Sequence, residues 1–179
     1  MSDRFMISED EMKEKVKQLA KENFRKGLNC AESVYSALLD AGLIDLPPES
    51  VALTTGFGGG IGLTGGVCGA LVAATMGIGA VHGRSHPTEG TSEEIIAGLY
   101  GNPGRDRFFN QVPRAFQTKF GSTQCSELNK DFPNWFEKDR FRKCMDIVVQ
   151  TAAMAVEFIC QGDREGYTQP FGVNMAGKE

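Results

Sequence analysis

The sequence contains no Cys-x-x-Cys pair, although five cysteines occur among its 179 residues. Zinc ribbons and ferredoxins normally bind their metals through such pairs, so the spacing argues against both classes. A Cys-x-x-Cys-His segment is missing as well, and covalently attached haem is therefore not expected. The odd number of cysteines also leaves at least one outside any fully paired disulfide scheme.

The sequence also has no long apolar run and no excess of positive charge. No window approaches 18 uninterrupted apolar residues, and residues 1–24 are dense in charge of both signs, so we expect neither a membrane helix nor a signal peptide. The net charge of −4 argues against nucleic acid as a partner. These features indicate a cytoplasmic protein, where scattered cysteines are more often catalytic, redox-active or metal-binding than bridged.

Alternating strand patterns and internal repeats are absent too, whereas helical periodicity recurs along the chain. Ser8 with Glu11 forms a capping box that begins a first helix. The pattern predicts an all-α fold, a single-domain bundle of about five to six helices over residues 1–161, followed by an irregular tail at 162–179. The last helix is predicted over 137–161. Further helix boundaries are indicated by the Asn29 cap, the Thr91–Glu94 capping box and a break or kink at Pro113.

Glycine is concentrated at 56–66, directly before the central helix, where seven of eleven residues are Gly. Such a run predicts a tight loop that lets the backbone come close to another group. No Lys-Ser or Lys-Thr follows it and no strand precedes it, so we expect no bound nucleotide. The glycines expected to bring backbone N–H groups towards Cys68 and its ligand are Gly58, Gly59, Gly60, Gly66 and Gly69.

A second group of small residues, Gly69, Ala73 and Gly77, recurs at every fourth position after this loop. In a helix they form a flat stripe on which another helix can pack closely. The stripe would serve an internal helix pair or a homodimer equally well.

Cys68 stands where the glycine-rich loop runs into an apolar segment, in the first turn of a predicted helix. Unpaired N–H groups and the helix dipole favour a thiolate there, which is the form that attacks disulfides and binds metals. Cys30 and Cys125 also stand at predicted helix starts, and helix ends can converge. Free cysteine is nonetheless among the most buried residue types, so spacing alone favours four unrelated core cysteines.

Helical geometry separates Cys160 from the other cysteines. It lies in the same predicted helix as Cys144, about 24 Å further along the axis and about 160° around it, so the two cannot share a site. Cys160 falls beside a polar stripe and is expected to be an unpaired bystander. The charged neighbours of Cys144 either lower its pKa or point to water, and they are Asp139, Arg140, Arg142 and Lys143.

His82 and His86 have the spacing of a helical metal site. Gly83 and Pro87 indicate, however, that the helix is ending at this point. We therefore expect a surface loop rather than a pair of metal ligands.

Four segments of the chain together resemble the C_GCAxxG_C_C family of redox-active proteins, which is named for four cysteines and carries a CGAxxG motif. The segments are Asn29-Cys30-Ala31-Glu32, GFGGGIGLTGGVCGAL at 56–71, FGSTQCSEL at 120–128, and Cys144 before the long last helix. The resemblance covers about residues 25–160 and implies redox or metal chemistry at Cys30, Cys68, Cys125 and Cys144. Cys160 has no counterpart, and Ala73 replaces the final glycine of the motif.

Three functions remain open at this point. In the first, the protein is a small redox protein that binds an iron–sulfur cluster through Cys30, Cys68, Cys125 and Cys144 and exchanges electrons with a partner protein, either as an oxidoreductase or as an electron carrier. In the second, Cys68 is the low-pKa nucleophile of a thiol–disulfide protein. The third is a helical interaction or scaffold protein whose cysteines are inert core residues.

Overall fold

The structure, a computed structural model, describes residues 7–177, and this part of the chain is all-α. It contains eight α-helices and one 3-10 helix, with no strand. The α-helices are α1 (Glu9–Arg25), α2 (Cys30–Asp40), α3 (Gly69–His82), α4 (Ser92–Tyr100), α5 (Arg105–Phe109), α6 (Gln111–Phe120), α7 (Cys125–Leu128) and α8 (Lys138–Glu165), and the 3-10 helix spans Pro48–Phe57. The predicted fold class is confirmed. The helices outnumber the five or six expected because α5 and α7 are short pieces of five and four residues.

Local capping signals determine where the early helices begin. The Glu11 N–H donates to the Ser8 hydroxyl at 3.2 Å, and the Ser8 N–H donates to the Glu11 carboxylate at 2.9 Å. Asn29 and Glu32 cap α2 in the same reciprocal way, and a third capping box begins α4. These boundaries agree with the predictions because each depends on residues within one helical turn.

Helix α8 is the centre of the bundle and packs against α1, α2 and α3. Its apolar character on nearly every side follows from these neighbours, which bury most of the helix from Ile147 to Gly162. By length and composition, α8 is the one described helix that could also cross a membrane, and 61% of its most apolar window is buried inside the protein. The core helix of a globular bundle has the same properties.

The small-residue stripe of α3 packs against α2. Ala73 is fully buried, and a Cβ placed on Gly77 would collide with the side chain of Leu38 in α2. The two helices therefore approach each other closely because this position has no side chain. The stripe serves an internal helix pair, and a homodimer stays a prediction.

Two predictions about helix ends were wrong. The break between α5 and α6 lies at Asn110 rather than at Pro113. Pro113 belongs to the first turn of α6, where its missing N–H would have no helical acceptor. Helix α8 also continues beyond the predicted end at residue 161 and stops at Glu165, where Gly166 adopts a positive φ of 65°.

The expectation that His82 lies in a surface loop was also wrong. His82 is the last residue of α3 and is only 4% exposed. Its Nε2 lies 2.9 Å from the Ile159 carbonyl oxygen, and its Nδ1 lies 3.0 Å from the Tyr167 hydroxyl. Helix α3 does end here, but the C-terminal tail covers the His82 side chain. A hydrogen bond from the Gly104 N–H to the Tyr167 carbonyl, 2.9 Å long, attaches this tail to the bundle. His86 is exposed.

Candidate functional site

A cavity of about 440 Å³ is lined by the four cysteines that the sequence singled out. They come from four parts of the bundle: Cys30 begins α2, Cys68 precedes α3, Cys125 begins α7, and Cys144 lies in the second turn of α8. The rest of the lining is mostly apolar side chains and glycines: Phe24, Gly27, Leu28, Asn29, Thr55, Gly58, Gly59, Gly62, Leu63, Leu128, Asn129, Trp135, Arg140, Phe141 and Ile147. The fold therefore brings these thiols to one cavity.

Cys30 is positioned by the start of α2 and by close contact with Gly69. The Asn29 side chain caps α2 and also donates to the Thr55 carbonyl at 3.0 Å, which ties the helix start to the 3-10 helix. A Cβ on Gly69 would lie 2.8 Å from Cys30 Sγ and would collide with the Phe57 carbonyl oxygen. Helix α3 can begin against this thiol only because residue 69 is glycine.

Cys68 and Cys125 are held side by side by their backbones. The Cys68 N–H donates to the Thr123 carbonyl at 2.8 Å, and the Cys125 N–H donates to the Gly66 carbonyl at 2.7 Å. The residues between these bonds form an isolated antiparallel bridge. This pairing joins the end of the glycine loop to the start of α7, and it places both thiols on one wall of the cavity.

The glycines singled out by the sequence divide into two groups. Gly58 and Gly59 line the cavity. Gly60 and Gly66 close the loop on itself, since the Gly66 N–H donates to the Gly60 carbonyl at 3.0 Å. The backbone N–H groups that lower the pKa of Cys68 are those of Ala70 and Leu71 in the first turn of α3, although no side-chain hydrogen bond caps this helix.

Cys125 and Cys144 share the side chain of Asn129. Asn129 Nδ2 donates to Cys125 Sγ at 3.5 Å, and the Cys144 thiol donates to Asn129 Oδ1 at 3.3 Å. On its other side, Cys144 Sγ accepts a hydrogen bond from Arg140 Nη1 at 3.5 Å. The sequence analysis missed Asn129, and its one signal is a position one helical turn after Cys125.

Arg140 is a buried cation in the cavity wall. It is only 8% exposed, its Nε donates to the Trp135 carbonyl, and its guanidinium lies 3.9 Å from the centre of the Trp135 ring. Among the described residues, no carboxylate forms an ion pair with it. The sequence left open whether this charge points to Cys144 or to water, and the structure directs it to the thiol.

Burial dominates the acidity of three cavity thiols, those of Cys68, Cys125 and Cys144. It raises the pKa of Cys68 to about 12, with a further contribution from nearby Cys30, and it raises the pKa of Cys125 to about 11. Burial also raises the pKa of Cys144, against the opposing effect of Arg140. The prediction of a low-pKa thiolate at Cys68 was therefore wrong: the N–H groups of α3 lower its pKa, but desolvation outweighs them.

Comparison with known proteins identifies the family of this chain. A family model described as "Putative redox-active protein (C_GCAxxG_C_C)" matches residues 28–158, a range that includes all four cavity cysteines. The chain belongs to the C_GCAxxG_C_C family. An "Uncharacterized protein" from Archaeoglobus fulgidus is 30% identical to it over 145 residues, which cover 75% of this chain and 87% of that relative. No solved structure gives a significant match.

The fifth cysteine of this C_GCAxxG_C_C protein lies apart from the cavity. Cys160 is in α8 and does not line the site, and it is 2% exposed rather than beside solvent as its helical position suggested. Burial raises its pKa, with a smaller contribution from Glu9. Cys160 therefore lies in the same helix as Cys144 but outside the candidate site, and it serves as a control for Cys144.

The cavity thiols surround a space rather than a point. Within residues 7–177, no three side chains of His, Cys, Asp or Glu lie close enough together to hold a single metal ion.

Proposed function

We propose that this C_GCAxxG_C_C protein transfers electrons through an iron–sulfur cluster bound by Cys30, Cys68, Cys125 and Cys144. The observation that carries the proposal is the cavity of about 440 Å³ that these four thiols line. Cysteine thiolates are the usual ligands of iron–sulfur clusters. When bound, such a cluster would take up one electron and release it again.

We favour a cluster over a single ion as the occupant of the cavity. A tetrahedral zinc site brings each sulfur to about 2.3 Å from one metal, whereas in the described chain no three such ligands converge on one point. In a cubane cluster each cysteine binds its own iron, so the sulfurs stand further apart around a core of several atoms. The cavity has room for a core of this kind.

Arg140 supports an occupant with negative charge. A buried cation is unfavourable unless an opposite charge accompanies it. Arg140 is 8% exposed, and the described residues supply no carboxylate to it. Four thiolate ligands would supply that charge, and Cys144 Sγ already lies 3.5 Å from the guanidinium.

The raised pKa values fit metal ligation better than attack by a free thiolate. At neutral pH the thiols of Cys68 and Cys125 stay protonated in the cluster-free protein. A protonated thiol is a poor nucleophile. Cysteines that hold a metal would release their protons to solvent on binding, so a raised pKa does not prevent these thiols from serving as ligands.

Hydrogen-bond donors to the sulfurs would adjust the reduction potential. Asn129 donates to Cys125, and Arg140 donates to Cys144. Such donors stabilise the more negative, reduced state, while the apolar lining excludes water.

Cysteine substitution tests the proposal. Anaerobically purified protein is expected to contain iron and acid-labile sulfide, and Cys68→Ser or Cys144→Ser is expected to lose most of both. Cys160→Ser is the matched control, because it makes the same change in the same helix as Cys144 but outside the cavity. Equal iron contents in the Cys144→Ser and Cys160→Ser proteins would falsify the assignment of ligands.

A further inference from the structure

We infer that the rim of the cavity is a docking face for a small acidic electron-carrier protein. The inference rests on the proposed electron-transfer function and names the kind of partner that would serve it. Three features carry it: an exposed apolar rim, a strained loop that supplies part of this rim, and a basic groove beside it.

The apolar rim reaches from the cavity wall to the surface. Leu63, Trp135 and Phe141 line the cavity, and yet they are 66%, 36% and 37% exposed. Phe136, the neighbour of Trp135, is 88% exposed. A partner that covers these side chains comes into contact with the same residues that enclose the thiols, so the path for an electron is short.

The glycine loop holds part of this rim in a strained conformation. Leu63 has a φ of +66° and Ile61 has a φ of +63°, both in the left-handed region that bulky side chains rarely adopt. Both side chains point away from the core, since Ile61 is 49% exposed as well. Strain of this kind is concentrated at functional contacts, and core packing does not explain these two positions.

A basic groove continues from the rim. Its lining residues are Arg25, Phe136, Lys138, Arg140, Phe141, Arg142 and Met145, of which Arg140 and Phe141 also line the cavity. No acidic residue of the described chain lines it. Arg142 pairs with Asp139 at 2.8 Å, whereas Arg25 and Lys138 form no ion pair within residues 7–177. The groove is thus positive on a chain whose net charge is −4.

This combination fits a partner with the opposite pattern, an acidic patch beside an exposed redox centre. Complementary charge speeds the encounter and sets its orientation, and redox complexes form through small, transient interfaces. A second copy of this chain would fit less well. In a two-fold dimer through this face, the basic grooves of the two copies would lie close to each other. Their unpaired cations would then repel.

The inference is tested by calorimetry, which measures how tightly the cluster-loaded protein binds a plant-type ferredoxin. This acidic electron carrier is chosen without tryptophan. The groove variant carries two substitutions, Arg25→Glu and Lys138→Glu. The control variant carries Lys17→Glu and Lys119→Glu, which change the net charge by the same amount outside the groove. We expect affinity to weaken about tenfold or more in the groove variant and less than about threefold in the control, and to weaken with added salt. The fluorescence of Trp135, the sole tryptophan of the chain, should change on binding.

Equal affinities of the two variants, or no salt-dependent binding of ferredoxin by the wild type, would overturn the docking face. Binding of the basic carrier cytochrome c in place of ferredoxin would also overturn it. Sedimentation velocity gives a further check, because a wild-type dimer that the groove variant disrupts would assign the face to a second copy. Iron analysis of the same samples separates this inference from the proposed function. Iron-loaded protein that does not bind ferredoxin refutes the docking face alone. Iron-free protein that binds ferredoxin refutes the cluster alone.

Discussion

Gly69→Ala perturbs the closest approach between two elements of the site. A Cβ at this position would lie 2.8 Å from Cys30 Sγ and would collide with the Phe57 carbonyl oxygen. The carbonyl belongs to the backbone of the 3-10 helix, so it cannot swing aside as the end of a side chain could. The start of α3, with Cys68 attached to it, must move away instead.

The cost of this displacement follows from measured effects of overpacking. Extra methyl groups in a filled interior typically lower the free energy of unfolding by about 1–3 kcal/mol. Alanine has a higher helix propensity than glycine, but Gly69 is the first residue of α3, so the compensating gain is below the roughly 1 kcal/mol of a helix interior. For a chain of this length we expect Tm to fall by about 2–12 °C.

Gly79→Ala in the same helix is the matched control. No atom lies within 4 Å of a Cβ at this position, so alanine gains helix propensity without a collision, and Tm should stay the same or rise by up to about 4 °C. Thermal unfolding followed by far-UV circular dichroism measures both variants beside the wild type. A Gly69→Ala protein as stable as the Gly79→Ala protein would refute the close approach of α3 to Cys30.

Three further predictions concern the charge, the protons and the attached tail of the protein. Arg140→Gln removes the buried positive charge, so the midpoint potential of the cluster should fall by tens of millivolts. In Arg140→Lys, which keeps the charge, the potential should fall less. Equal potentials in the wild type and both variants would contradict this role. The folded-state pKa values of Cys68 and Cys125 lie above the ordinary value of 9.0. As the pH rises, the unfolded chain therefore loses these protons before the folded protein does. The free energy of unfolding of cluster-free protein should thus fall above about pH 9. The slope is up to about 1.4 kcal/mol per pH unit for each thiol, until the pH reaches the folded-state pKa. Urea titrations at pH 8, 9 and 10 measure it, and a flat profile would be inconsistent with buried thiols. Tyr167→Phe removes the hydroxyl that lies 3.0 Å from His82 Nδ1 and should lower the free energy of unfolding by about 1 kcal/mol without changing iron content; an unchanged urea midpoint would count against this contact.

The features that the sequence could predict are those that neighbouring residues decide. The start of α1 at Ser8 and of α2 at Asn29 depends on capping groups within one turn, and both were correct. The placement of Cys30 at a helix start follows from the Asn29 cap, whereas α7 begins at Cys125 without a side-chain cap. Their convergence does not follow from spacing, which favoured unrelated core cysteines; the resemblance to a four-cysteine family supplied it.

The features that the sequence could not predict depend on contacts between distant segments. The helix start at Cys68 was visible, but its burial comes partly from the pairing of its backbone with Thr123, and burial reversed the expected pKa shift. The sequence left open whether Arg140 faces Cys144 or water, because only the fold of the preceding loop places Trp135 over it. His82 is buried since the tail returns to cover it with Tyr167.

The visible absorption spectrum of anaerobically purified protein, with iron and acid-labile sulfide measured on the same sample, tests the central claim most directly. The four-thiol cavity predicts a coloured protein whose broad thiolate-to-iron absorption bleaches on chemical reduction, with iron and sulfide present in equal amounts. A colourless protein that contains neither element, even after anaerobic reconstitution with iron and sulfide, would contradict it.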